Sequence, residues 1–349
     1  MKKILYLFIA TILVSNCTKD TIVPPCTIPL IPCENPIQRT LINWDTCFEL
    51  PMDIHGFVIA HNGDSPRRYP FYHSNAKKIS FVKVSYQKSE NINVNICDES
   101  YENGVIYSPN SEFNTLNQTV EVWNDDNWGL IAADWGIWKV KMNGDSLTKI
   151  TNDNDNAYQL PTWCKNGESI YCYVNFNQNS PYYPSRSVLL DLMGNITHVF
   201  PFSGIGGKEN NGKIATRAIT VDYHQIGYID LSTNEFMGLV DFDFDYYLQA
   251  IEWLDDNHIM WMQMESGQRA QEIFKVNINT LEVSSLFYKP DCENLIYRGI
   301  SASPDGDGEI LMTRQEYRYT APHPDSLYYY ERIEIMDTNT GEEWILEVE

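Results

Sequence analysis

Carboxylates are the most numerous reactive groups in this chain, and one run of them is spaced as if for a cation. Asp241, Asp243 and Asp245 alternate with phenylalanine in DFDFDYY, and Glu252 follows. Ca²⁺ takes oxygen ligands, and a calcium loop places acids at its first, third, fifth and twelfth positions. The register fits, but Tyr246 stands where the sharp turn of such a loop needs glycine. The sequence argues against an EF-hand and leaves a looser Ca²⁺ site on Asp241, Asp243 and Asp245, helped by Asp153 and Asp155; otherwise no cofactor is expected. A second group of residues is suited to recognition. Tyr182, Tyr183 and Arg186 fall in NFNQNSPYYPSRS, and Tyr317, Arg318, Tyr319, His323 and Tyr328 in EYRYTAPHPDSLYYYER. Exposed Tyr and Arg are typical anchors of protein interfaces, and tyrosine faces also suit sugar rings. No residue is assigned a catalytic role. There is no Gly-x-Ser-x-Gly elbow and no His-Glu-x-x-His. Paired carboxylates carry no information here without geometry.

The elements that must position these residues recur. Six times, at intervals of about 40 to 50 residues, apolar residues meet a tight Asn/Asp/Gly turn and then an alternating apolar run. The copies are FYHSNAKKISFVKV (from Phe71), VWNDDNWGLIAA (Val122), TWCKNGESIYCYV (Thr162), ENNGKIATRAI (Glu209), EWLDDNHIMWM (Glu252) and SASPDGDGEILM (Ser301). A third run follows each copy, from Ile92, Gly136, Arg186, Ile226, Glu272 and Arg332. A fourth follows, from Val105, Leu147, Ile196, Phe236, Val283 and Glu343. Asn-Gly and Thr-Asn turns between them are hairpin signals. Four short antiparallel strands repeated six times predict an all-β, six-bladed propeller over residues 37–349, with seven blades the lesser alternative. GFVIAHNG, from Gly56, reads as a strand that helps close the ring or adds an edge to the last blade. Within the repeats, Trp163 and Trp253 read as packing between blades, and the Asp, Asn and Gly residues as turn formers.

Composition sets further bounds. The 349 residues are 43% hydrophobic and 13% aromatic, enough for a large core rich in strand formers. A net charge of −22 would repel a phosphate backbone, which argues against nucleic-acid binding. At the N-terminus, Lys2 and Lys3 precede an apolar stretch from Ile4 to Val14, too short for an ordinary transmembrane helix. Val14-Ser15-Asn16-Cys17 resembles a bacterial lipobox, with Asn16 in place of the usual Gly or Ala. The resemblance implies a lipoprotein signal peptide over 1–16 and lipidation at Cys17. Residues 17–36, with five prolines, then form the anchor and a semi-extended tether. Seven further cysteines suit an oxidising compartment, and the odd number leaves at least one unpaired. Cys164 and Cys172 fall on adjacent strands of one hairpin, where a cross-strand contact is open to them.

At PTWCKNGESIYCYVN and IWKVKMNGDSLTKITN the chain resembles the TolB-like propellers, a WD40-like group. Pro161, Trp163, Asn166, Gly167, Ile170 and Tyr171 match the first half of that family's repeat. Ile137, Trp138, Met142, Gly144, Leu147 and Thr148 match the second, and Ser303, Pro304, Asp305 and Gly306 reproduce its turn. The resemblance covers roughly residues 67–349. It implies the propeller fold and, with the lipobox, a TolB-like lipoprotein of the type found in Bacteroidetes. It leaves no room for the α/β domain that precedes the propeller in TolB.

In such a ring the loops from strand two to three, and from strand four to the next blade, open on one face, and those are the long ones here. Loops on a rigid scaffold are where function usually resides. The expectation is a lipid-anchored, outer-membrane propeller, periplasmic or surface-facing. It would bind a protein or peptide of the cell envelope on that face and touch the membrane only through its lipid. An envelope carbohydrate-active enzyme or carbohydrate-binding lipoprotein is the alternative.

Overall fold

Side chains alternate across a strand, so one apolar run can serve two neighbours, and this chain uses that rule at each blade boundary. The computed structural model describes residues 39–41, 59–60, 71–73, 76–84, 89–95, 101–102, 106–107, 120–123, 128–133, 135–141, 146, 148–151, 155–165, 167–242, 246–265, 271–288, 295–303, 306–319 and 327–346. All lie in one compact unit, Cys33–Glu349.

The first strands are β1 (Arg39–Leu41) and β2 (Ile59–Ala60). The first repeat copy gives β3 (Phe71–His73), β4 (Ala76–Val84), β5 (Ser89–Asn95), β6 (Tyr101–Glu102) and β7 (Ile106–Tyr107). Blade I is β8 (Val120–Trp123), β9 (Trp128–Ala133), β10 (Gly136–Lys141) and β11 (Thr148–Lys149). Blade II is β12 (Ala157–Cys164), β13 (Ser169–Asn175), β14 (Ser185–Asp191) and β15 (Ile196–Val199). Blade III is β16 (Gly206–Asn210), β17 (Lys213–Ile219), β18 (His224–Asp230) and β19 (Glu235–Asp241). Blade IV is β20 (Tyr246–Asp255), β21 (His258–Glu265), β22 (Gln271–Asn277) and β23 (Val283–Tyr288). Blade V is β24 (Leu295–Ala302), β25 (Glu309–Tyr319), β26 (Leu327–Asp337) and β27 (Glu343–Leu346). In each blade consecutive strands pair antiparallel, and the first strands of successive blades II to V touch one another. The β-propeller is thus the fold, as the repeat predicts.

The expectation of six blades, or seven, is corrected: the propeller has five four-stranded blades. Five blades have four antiparallel strands, and the sheet from the first repeat copy does not. Its fourth position is divided: β6 pairs with β5 at Asn93 and Val94, and β7 pairs with it at Ser89 and Glu90. The sequence between them holds Asn103-Gly104, residue types that favour a turn. This sheet touches blades I and V through β3. The last sheet is enlarged instead. Thr40 pairs with Ile345, which puts β1 on the outer edge of β27, and Ile59 pairs with Tyr329, which puts β2 against β26. The segment before the repeats therefore adds strands to a blade that already has four of its own.

The core is a series of interfaces between blades. Ile170, Cys172 and Val174 of β13 pack with Leu130 and Ile137 of blade I, whereas Tyr171 between them packs with Ile214 and Ile229 of blade III. Ile259 and Trp261 of β21 face Ala215 and Ile226 of blade III, and Met260 and Met262 face Tyr297 and Ile310 of blade V. Trp163 and Trp253 are buried in these interfaces. Turn residues cap the strands. Asp191 accepts amides from Met193 and Asn195, and Asn277 accepts those of Asn279 and Thr280. Asn211 and Gly212 both take positive φ, the geometry a two-residue hairpin turn requires. Cys164 and Cys172 are both buried but lie in different interfaces, so the blade itself separates the two thiols.

Candidate functional site

The loops from strand two to three gather at the end where each first strand begins. The Tyr158 amide, at the start of β12, donates to the Trp135 carbonyl in the β9–β10 turn at 2.8 Å. The Asn177 amide, just past β13, donates to Asn156 Oδ1 at 3.1 Å. In blade III the Arg217 amide reaches the Ile205 carbonyl at 3.3 Å.

The loop of blade II builds itself. Phe176 is buried, and its amide donates to the Pro184 carbonyl at 3.0 Å. Asn177 Oδ1 accepts the Asn179 amide, Ser180 Oγ accepts the Tyr182 amide, and the Ser180 carbonyl accepts the Tyr183 amide. Tyr182 packs at a tilt against Phe176, with centroids 5.4 Å apart, and is still 42% exposed; Tyr183, before a cis proline, is 52% exposed. The Arg186 guanidinium donates to the Ser185 carbonyl at 2.7 Å.

The segment from Glu316, expected to be a loop, is largely strand. β25 and β26 stay paired from Glu309↔Asp337 to Tyr319↔Leu327, whereas β24 pairs with β25 only as far as Glu316. Among the described residues the hairpin extends beyond its pairing with β24, placing Tyr317 opposite Tyr329 and Arg318 opposite Tyr328, with β2 added on the β26 side. His323 lies outside the described residues, as does Cys17. Of the acidic run, Asp241 closes β19 and accepts a 2.7 Å hydrogen bond from Gln225 Nε2; Asp243 and Asp245 lie outside the described residues. Among the described residues no three His, Cys, Asp or Glu side chains group as metal ligands.

A polar constellation that sequence reasoning missed lies on the first strands. Glu252 of β20 is buried, and its Oε1 accepts the amides of Lys208 at 2.9 Å and Trp253 at 3.2 Å. The Lys208 ammonium, from β16, reaches past β20 to donate to Ser301 Oγ on β24 at 2.9 Å. Burial pushes the Glu252 carboxyl up, against the opposing pull of the Lys208 charge and the two amides. A Cβ at Gly207 would stand 2.5 Å from the Ile251 carbonyl oxygen, so glycine permits this approach of β16 to β20. Three residues from three blades hold one another, and the arrangement ties the ring. Gly206-Gly207 before Lys208 was the one local signal, and its partners are far away in sequence.

A second buried network joins blades II and III. The Tyr171 hydroxyl lies 2.8 Å from Ser187 Oγ, 3.0 Å from Thr216 Oγ1 and 3.2 Å from the Gly204 carbonyl. Burial pushes its pKa up to about 12 despite these hydrogen bonds, so it is a fixed donor rather than an acid at neutral pH.

No family model and no curated protein sequence matches this chain. Solved structures do. An oligogalacturonate lyase in complex with manganese aligns at a TM-score of 0.52 with 12% identity, over 83% of this chain and 84% of that one. An oligogalacturonate lyase from Vibrio parahaemolyticus aligns at 0.50 with 14% identity, over 89% and 85%. TolB from Acinetobacter baumannii aligns at 0.43 with 13% identity, over 76% and 67%. At these identities the likeness shows the fold alone.

Proposed function

We propose that this protein is a lipid-anchored propeller of the bacterial cell envelope that binds a protein or peptide partner through the face carrying its strand-two-to-three loops. The observation that supports it most is the blade II loop. Its backbone is fixed by five internal hydrogen bonds, and it still leaves Tyr182 and Tyr183 about half exposed. A preformed loop presenting aromatic rings loses little entropy on docking. The anchor reading rests on Cys17 and the apolar stretch before it. Affinity purification of the native protein from its own membranes tests both parts. An envelope protein should co-purify reproducibly and be lost from the Tyr182→Ser/Tyr183→Ser variant. Capture unchanged in that variant refutes the docking face. Cys17→Ala should release the protein from membranes, and unchanged attachment refutes the anchor.

The same exposed tyrosines support a carbohydrate-binding second reading. For an enzyme of the glycosidase type a second carboxylate would be needed within about 10 Å of the first. Among the described first strands Glu252 is the one buried carboxylate, and its Oε1 is occupied by the backbone amides of Lys208 and Trp253.

A further inference from the structure

We infer that the loop end of blades I to III docks a basic, apolar-bearing segment of a partner protein, with Trp135 and Val221 as contact residues beyond the tyrosines. The inference rests on the protein-binding reading above and narrows its partner. Trp135 sits in the β9–β10 turn with φ of +60° and is 60% exposed. A tryptophan held in the left-handed region and turned to solvent is costly on both counts, and packing does not explain it. Val221, in the β17–β18 turn, is 95% exposed. With Tyr182 and Tyr183 these residues place large apolar groups at the same end of three successive blades.

The charges at this end decide the partner's sign. Asp155 before β12, Asp222 in the β17–β18 turn and Asp241 at the end of β19 are all exposed there. Of the cations here, Arg186 is already directed at the Ser185 carbonyl, and Lys149, whose side chain lies against Gly136, is already placed over the Trp138 ring. Aromatic faces and carboxylates both attract Lys and Arg. The chain makes such pairs itself: Lys139 lies over Trp128 at 5.1 Å, Lys149 over Trp138 at 5.7 Å and Lys213 over Tyr228 at 6.0 Å. At the loop end the indole of Trp135 is available for the same contact from outside.

The full chain can be titrated with two labelled peptides of equal length, one alternating arginine with leucine and one alternating glutamate with leucine. The arginine peptide should bind, and weaken as salt is raised. Trp135→Ala and Val221→Lys should each lower its affinity about tenfold. Val221 is so exposed that its substitution leaves folding intact, which guards the test against a misfolded Trp135 variant. Equal binding of the glutamate peptide, or binding indifferent to both substitutions, overturns the inference. So does salt-insensitive binding of neutral cellohexaose at this end with no peptide binding. If an envelope partner is still captured through the tyrosines while the arginine peptide fails, the basic partner falls and the docking face stands. Loss of capture altogether removes both.

Discussion

At the scale of single residues, the buried polar groups hold the ring, and their chemistry predicts how it responds. Tyr171→Phe leaves Ser187 Oγ, Thr216 Oγ1 and the Gly204 carbonyl with one partner fewer in a buried site, and should cost about 1–2 kcal/mol in urea unfolding. Glu252 gives a pH-dependent term. Its folded-state pKa is raised, so between the ordinary carboxylate range and the raised value the folded state holds more protons than the unfolded chain. Stability from this group is then present at lower pH and lost as pH rises through that window. Glu252→Gln should remove that part of the slope. Urea midpoints measured across the window should fall less steeply with pH than in the wild type, and identical slopes would refute the assignment. Such residues are hard to find from sequence. Lys208, Glu252 and Ser301 meet only because the ring brings β16, β20 and β24 together.

At the scale of elements, strand positions were legible wherever a turn signal and an alternating run stood side by side. Asn211-Gly212 between Glu209 and Ile219 is such a case, and β16 and β17 lie where it put them. The first copy misled because an apolar run from Val105 reads as a fourth strand, whereas pairing is divided between β6 and β7. The segment from Glu316 misled in the opposite sense. Its Pro and polar residues suggested a loop, yet the tyrosines on either side favour strands, and the two arms pair to Tyr319. Trp135 carries no mark in the sequence, because Ala-Asp-Trp-Gly has only the composition of a turn. The added strand β2 predicts a local effect. Ala60→Pro disturbs the short pairing of β2 with β26 and should lower hydrogen-exchange protection at whichever of the Tyr328 and Tyr329 amides faces β2. Loss of protection in blades II to IV would show that β2 supports the ring rather than the hairpin.

At the scale of the whole molecule, each blade depends on both neighbours. The interfaces share strands through alternate residues, so damage to one interface weakens the blade that also forms the next. Met262→Ala, at a fully buried position between blades IV and V, should cost about 2–5 kcal/mol. The loss should appear as a lower midpoint of a single calorimetric transition, and two separated transitions would show independent blades.

The pairing of β1 with β27 has a mechanical consequence. The strands are antiparallel, and Arg39 lies opposite Leu346, so the chain enters β1 and leaves β27 at the same end of the ladder. A tensile load applied through residues on those two sides opens this pair like a zipper, one rung at a time, rather than shearing all rungs together. At that same end the Arg39 guanidinium clasps the Glu309 carboxylate at 2.6 Å and is among the first contacts such a load meets. Single-molecule pulling from the two ends should therefore show a low-force first event that lengthens the molecule by β1 and its neighbours before any blade yields. A first event at high force would place the tension elsewhere.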